Sequence, residues 1–430
     1  MLYELTDEQI TLLKEAVKWY NSATGDQVFQ YSAPAGAGKS FMMHRIIEAC
    51  GLKEDEVAAM AYTGTAALVL RMNDFQNSGT IYHWLYTVEE SKKIVDGKYI
   101  TDLQFKWKGV PPDIKLICID EGSMVPMHMR EDILRCGVKV LVCGDLNQLP
   151  PIASGGPAFL THKFGKVHYL TRIMRQAEGS SIVMISDMIK NGIYPKAGDY
   201  GDVIVIYANE VQDEHLLYAD AVLCCRRKTK DYYNHYIREN LLNQHSTIPN
   251  YGEKVMCRYN NWDIASGNIN LTNGLLCRVT SYPSISKMSK NRKFKMDVVP
   301  YMFPNTLFEN VYCDYKYINS DIDTRDRMTN PSDPAYRKIK IFGNKFEYGY
   351  TSTIHASQGS AYNAGICFWE PFVKEEMFRL AYTGITRFRR FCILVLPYKK
   401  MTFSFNPFES DKGTVRRKKC VMTKHGRPII

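Results

Sequence analysis

The chain has 430 residues, enough for two to four domains with sizeable cores, and its 45% hydrophobic content is that of an ordinary globular protein. It carries 55 Lys and Arg against 45 Asp and Glu, a net charge of +10 that suits a polyanionic partner, and residues 411–430 hold seven bases and one acid. No apolar run reaches membrane-span length, the twelve cysteines lack any C-x-x-C or metal-ligand spacing, and no signal-peptide core opens the chain, so a reducing, cytoplasmic setting without a membrane partner is expected.

Residues 5–20 predict an amphipathic helix capped by Thr6, with Gln9 three positions on. Gln9 has two readings: it closes a capping box, or its amide reads an adenine edge with a donor and an acceptor together. Val28 to Tyr31 predicts a buried strand, and Phe41, Met42, Ile46 and Ile47 share one face of a helix beyond it. Between them Pro34, Ala35, Gly36, Ala37 and Gly38 are small enough to wrap a polyphosphate, with helix N-terminal amides facing its charge. Lys39 suits the β and γ phosphates and the Ser40 hydroxyl suits Mg2+. The pattern departs from G-x-x-x-x-G-K-[ST] at its first glycine, which is Ala33 here. Residue type alone leaves open whether that tightens the turn or weakens binding.

Val57 to Met60 predicts a strand, followed by Ala61-Tyr62-Thr63-Gly64-Thr65-Ala66-Ala67. The hydroxyls of Thr63 and Thr65 suit a phosphate backbone, or Thr63 simply caps a helix. His83 and Trp84 come next, as strand contacts or as core. Residues 86–112 change character. An Asp96-Gly97 turn lies between strand-like runs, and Leu103, Phe105 and Trp107 alternate with Gln104, Lys106 and Lys108, which predicts a projecting hairpin.

Leu116 to Ile119 predicts a buried strand ending in Asp120-Glu121, carboxylates placed where open α/β sheets bind ligands. Asp120 suits Mg2+ and Glu121 suits polarising a water. The strand Val138 to Cys143 ends at Gly144-Asp145, with Gln148 in reach of a γ phosphate. A second α/β pattern starts near Val167 and continues through Ala221 to Cys225. It is interrupted at 250–345 by an alternating, loop-rich stretch, and resumes from Tyr350 to the strand Cys392 to Leu396.

The ordered set APAGAGKS, AYTGTAA, DEGSM, GDLNQLPPI, LTRIMRQ, TSTIHASQGS and AYTGITR resembles the motif series of superfamily 1B DNA helicases, above all the RecD-like group with its phage members. The resemblance runs from about Leu5 to Leu396 and is weakest in 86–112 and 250–345. It implies an α/β fold of two RecA-like P-loop domains, the first with a β-hairpin insertion and the second with a β-rich, SH3-like one. The expected limits are 1–85 with 113–165 for the first domain and 166–249 with 346–405 for the second. The insertions would be 86–112 and 250–345, with a basic tail at 406–430.

The resemblance also implies roles. ATP and Mg2+ would sit between the domains, on Pro34 to Ser40 with Phe41 and Gly359 beside them, and Gln9 would read adenine. Ser40 and Asp120 would hold the metal, Glu121 would activate water, and Gln148 would link phosphate to DNA. Arg175 and Arg387 would act as arginine fingers with Lys39. Thr63, Thr65, His83, Thr353 and His355 would contact single-stranded DNA, His83 with a one-residue slip from the family's T-I-H pattern. Phe105 and Trp107 would meet a DNA fork. The implied activity is ATP-dependent unwinding, 5′ to 3′, by a monomer, with replication or recombination proteins as partners. Two other classes stay open: an ATPase that moves on DNA without unwinding, and a nucleotide-switched recruitment protein.

Overall fold

The computed structural model describes residues 5–23, 25–95, 98–151, 156–172, 180–267, 269–285, 293–329, 343–371 and 374–397. The Asp96-Gly97 turn, Arg175 and the basic tail lie outside the described residues.

The opening helix, Asp7–Asn21, starts in a closed capping box. Thr6 Oγ1 accepts from the Gln9 amide at 3.3 Å, and Gln9 Oε1 accepts from the Thr6 amide at 3.0 Å. Six parallel strands then build the first sheet: β1 (Val28–Ser32), β2 (Val57–Ala61), β3 (Ser78–Thr80), β6 (Leu116–Asp120), β7 (Lys139–Gly144) and β8 (Val167–Tyr169), in the order β3-β2-β6-β7-β1-β8. The inner strands are covered on both faces, which is why they read as unbroken apolar runs. Met42, Met43, Ile46 and Leu12 pack one face, and Ile81, Leu85, Val125 and Phe159 the other. Ser32 pairs with Gly144 and Asp120 with Ala61, so the ends of β1, β2, β6 and β7 lie along one edge.

Strands β4 (Tyr86–Val95) and β5 (Lys98–Trp107) pair only with each other, antiparallel, from Tyr86↔Trp107 to Val95↔Lys98. This is the hairpin that the turn dipeptide and the alternation predict.

The second sheet has the order β20-β11-β21-β22-β10-β9: β9 (Gly198–Asp199), β10 (Val203–Tyr207), β11 (Ala221–Cys224), β20 (Thr351–Thr353), β21 (Tyr362–Phe368) and β22 (Phe388–Leu396). It is parallel except for β9. Between β11 and β20 the chain forms an antiparallel sheet of β12 (Lys254–Cys257), β15 (Leu276–Val279), β16 (Ser284–Ile285), β17 (Lys293–Pro300), β18 (Phe308–Asp314) and β19 (Phe346–Tyr348). A separate hairpin of β13 (Asn261–Ser266) and β14 (Ile269–Leu271) accompanies it. One apolar cluster runs from Val222, Cys224 and Ile366 of the second sheet into Val255, Phe294 and Phe308 of the antiparallel one.

The sequence predicts one helix through Asn240. The α-helix is Arg227–His235, and Tyr236–Leu241 continues as a π-helix. Its side chains tie the units together. Asn234 pairs with both backbone groups of Thr351, at 2.8 and 3.2 Å. Lys230 Nζ lies 2.6 Å from the buried Glu347 carboxylate. Burial pushes Glu347 up, but Lys230, Arg258 and Arg325 outweigh it and hold the carboxyl at about 2.

Candidate active site

The loop after β1 has glycine-only backbone at two points, Gly36 at φ 84° and Gly38 at φ 83°. Ala33 has no such need. It lacks a positive φ, is buried, and donates its amide to Gly144 O at 2.9 Å, so alanine fits where the pattern has glycine. Ala37 donates to Pro34 O at 3.2 Å, and Met42 to Gly38 O at 2.9 Å, closing the loop onto the helix Lys39–Ala49. Lys39 Nζ donates to Ala33 O at 3.2 Å, while Tyr31 OH donates to Lys39 O at 2.8 Å from beneath. Asn73 Nδ2 donates to Ser40 Oγ at 3.4 Å. Phe41 is half-buried, with the Arg45 guanidinium 5.5 Å from its ring centre.

Gln9 serves the cap and also faces the loop. It is buried, and a Cβ built on Gly38 would lie 3.6 Å from its Nε2. The structure shows Oε1 engaged in the capping box, while Nε2 lies toward the loop.

Asp120 closes β6 and is buried, its Oδ1 accepting from the Glu121 amide at 2.8 Å and Cys143 Sγ at 3.2 Å. Glu121 then takes a left-handed turn, φ 51° and ψ 41°. The next residue must be small: a Cβ on Gly122 would stand 2.3 Å from Val142 Cγ1. Burial raises the Glu121 pKa, opposed by the positive charges of Lys39 and Arg387 and reinforced by Asp120 and Asp145. Glu121 Oε2 and Gln148 Oε1 are buried without a hydrogen-bond partner, acceptors that a polar ligand in this cleft would satisfy.

The second sheet closes the cleft. Asp145, fully buried, accepts from Gln148 Nε2 at 3.4 Å and from Tyr382 OH at 2.8 Å. Leu149 donates its amide to Thr383 Oγ1 at 3.1 Å, and Gln358 Nε2 donates to Leu149 O at 3.3 Å. Arg387 is buried at the end of the helix Lys374–Ile385, with its Nε on Thr383 O at 3.1 Å and its terminal nitrogen on Ser360 O at 3.4 Å. Gly359 stands against Ala66 of the first domain, where an added Cβ would come within 3.0 Å. Sequence reasoning assigns no role to Asp145, Tyr382 or Thr383. Of the three, Asp145 alone carries a signal, as a carboxylate directly after an apolar strand.

The residues expected to contact a DNA strand divide. Thr63 and Thr353 sit at matching ends of parallel strands and cap the helical turns beyond them, accepting from Ala66 at 3.2 Å and Ala356 at 3.3 Å. His83 is exposed beside Gly79 and Trp84, and His355 is half-buried; burial lowers the pKa of both. Thr65 is a correction. It is buried, and its hydroxyl donates to Asn273 O at 3.2 Å, so it fastens the antiparallel unit to the first domain. Trp107 is a second correction. Its Nε1 donates to Asp132 O at 3.1 Å and Arg135 lies 4.2 Å over its ring, which makes it the foot of the hairpin. Phe105 is 55% exposed, 5.3 Å from the Tyr82 ring. Among the described residues no cluster of three or more His, Cys, Asp or Glu could hold a further metal. No helix described is long and apolar enough to cross a membrane.

A family model for an AAA domain matches residues 4–205, and one for the UvrD-like helicase C-terminal domain matches 348–395. The ATP-dependent DNA helicase Pif1 of Psychrobacter is 28% identical over 269 residues, 56% of this chain and 38% of that protein. The ATP-dependent RecD2 DNA helicase of Deinococcus radiodurans is 24% identical over 199 residues, 45% of this chain. These matches make the chain similar to superfamily 1B helicases of the RecD- and Pif1-like branch. The chain covers only 38% and 25% of those two relatives' length. Its fold is that of Bacteroides Pif1 bound to single-stranded DNA, with a TM-score of 0.52 at 17% identity over 91% of this chain and 92% of the other. A structure of two coordinating Pif1 helicases at forked DNA aligns with a TM-score of 0.56 at 17% identity over the same shares. The two mainly parallel sheets accordingly have the fold of two RecA-like domains.

Proposed function

We propose that the chain is an ATP-dependent DNA helicase that moves on single-stranded DNA, 5′ to 3′, and opens duplexes at forks. The observation that carries this reading is one cleft: Lys39 and the buried Glu121 come from one RecA-like domain, and Arg387 from the other. Phosphoryl transfer needs positioning and charge neutralisation more than covalent chemistry, and these groups suit it. ATP is the substrate, held by Pro34 to Ser40, with Gln9 at its base and Phe41 beside it. Ser40 and Asp120 are the residues that would hold Mg2+, which supplies charge neutralisation at the transferred phosphate. Glu121 is the acceptor for the attacking water's proton. Gln148 touches Asp145, and Asp145 touches Tyr382, so the phosphate end of the cleft is joined to the helix that bears Arg387. Arg175 joins Arg387 in the same role.

The relatives solved with single-stranded DNA, and with ADP and aluminium fluoride, support a strand path over Thr63, His83, Thr353 and His355. In this reading β4 and β5 form the pin, with Phe105 at the fork. The antiparallel unit at 250–345 is the SH3-like insertion of a monomer, and the domains divide at the boundaries expected from the sequence. The test is Mg2+-dependent ATP hydrolysis with and without single-stranded DNA. The wild type is expected to be stimulated and Lys39→Ala inactive. Equal turnover in both would remove the phosphate loop from the reaction.

A further inference from the structure

The helix Arg227–His235 and its π-helical continuation Tyr236–Leu241 bury three polar side chains at four-residue spacing, Lys230, Asn234 and Arg238. Residues four apart share a helix face, so the three form one stripe. They hold different parts of the molecule. Lys230 Nζ meets Glu347 Oε2 of β19 at 2.6 Å. Arg238 meets the buried Glu253 carboxylate at 2.8 and 3.2 Å and lies 4.3 Å from the Tyr348 ring centre. Of the three, Asn234 holds β20. Its Oδ1 accepts from the Thr351 amide at 2.8 Å, and its Nδ2 donates to Thr351 O at 3.2 Å.

Strand β20 is an edge strand of three residues, paired with β11 on its inner side. Thr351 is buried, so its outward amide and carbonyl need partners that water cannot supply. The Asn234 side-chain amide supplies both, as a further strand would. Two residues on, Thr353 ends β20 and accepts from the Ala356 amide at 3.3 Å, starting the turn that carries His355.

We propose that Asn234 is a positioning residue for single-stranded DNA: by fixing Thr351 on the sheet edge it sets where Thr353 and His355 meet the strand. The inference rests on the strand path over Thr353 and His355. A hydrogen bond to a phosphate weakens outside about 2.7–3.2 Å, so small shifts of β20 are felt at the DNA.

The full-length chain is tested with a fluorescein-labelled oligothymidylate, by anisotropy without nucleotide, beside ATP hydrolysis and amide exchange. Asn234→Ala should speed exchange at Thr351 tenfold or more. The oligonucleotide Kd, and the DNA concentration for half-maximal ATPase stimulation, should each rise about tenfold. Turnover without DNA and KM for ATP should stay within twofold. Lys230→Met, which loosens Glu347 and leaves Thr351 alone, should lower Tm yet keep Kd within twofold. If Asn234→Ala does not fold, Asn234→Asp keeps the acceptor for the Thr351 amide and loses the donor, and Kd should rise at least threefold. Unchanged exchange or unchanged Kd in Asn234→Ala, an unchanged Kd in Asn234→Asp, or an equal rise of Kd in Lys230→Met, would make Asn234 merely structural and overturn the proposal. The double variant Thr353→Ala with His355→Ala checks the strand path itself. An unchanged Kd there overturns that reading, and the proposal with it.

Discussion

Glu121 holds a left-handed conformation that costs a non-glycine residue roughly 1–2 kcal/mol, and it does so buried beside Asp120. Strain of that kind persists where the surroundings impose it, here the close approach of Gly122 to Val142. Glu121→Gln keeps the shape and removes the proton acceptor. Nucleotide affinity should stay within a few-fold while turnover falls by about 10²-fold or more, measured by binding titration and single-turnover hydrolysis. Burial raises the wild-type carboxyl above its ordinary 4.5, and the protonated form cannot accept a proton. Turnover should therefore be lost as pH falls through that raised value, with an acid limb above 4.5. Arg387→Ala should cost about 10³- to 10⁵-fold in turnover and leave single-strand affinity without nucleotide unchanged, as read by fluorescence anisotropy. Near-normal turnover would leave Arg387 as a tie between Thr383 and Ser360. Lys39, Asp120 and Glu121 are legible because short motifs at strand ends carry their chemistry locally. The Tyr382–Asp145 bond is not, because its partners lie 237 residues apart and each alone looks like core or a turn.

The hairpin of β4 and β5 shows what an element adds to its residues. Alternation and the Asp96-Gly97 dipeptide make it legible, and both strands pair over ten residues. Alternation cannot separate Trp107 from Phe105, since both point to the same face. What separates them is tertiary: Asp132 and Arg135 come from a helical segment more than twenty residues on. Replacing Val95 to Tyr99 with a short glycine–serine turn should leave the foot, DNA-stimulated ATPase and translocation intact. Duplex unwinding should fall at least tenfold, measured by strand displacement beside ATP turnover. If both activities fall together, the hairpin supports the fold; if neither falls, strands separate elsewhere.

At the scale of the whole chain, three sheets are joined by contacts that neither composition nor periodicity announces. The antiparallel unit reads as β-rich from its turns and alternation, but its attachment does not show there. It shares an apolar cluster with the second RecA-like sheet and is pinned by the buried Lys230–Glu347 pair, to which sequence reading assigns no role. Thr65 and Asn273 tie the same unit to the first domain, so both domains meet it. Across the cleft, Asp145–Tyr382 and Leu149–Thr383 connect the first sheet to the arginine-bearing helix. Those bonds join the ends of the first sheet's strands to the second domain in one connected body, so ATP hydrolysis in the cleft is expected to drive movement of the proposed DNA-binding edge. Strand displacement on duplexes with either a 5′ or a 3′ single-stranded overhang, in Mg-ATP, tests this most directly. Displacement is expected from the 5′ overhang, and none with Lys39→Ala. DNA-stimulated hydrolysis with no displacement from either overhang would contradict it.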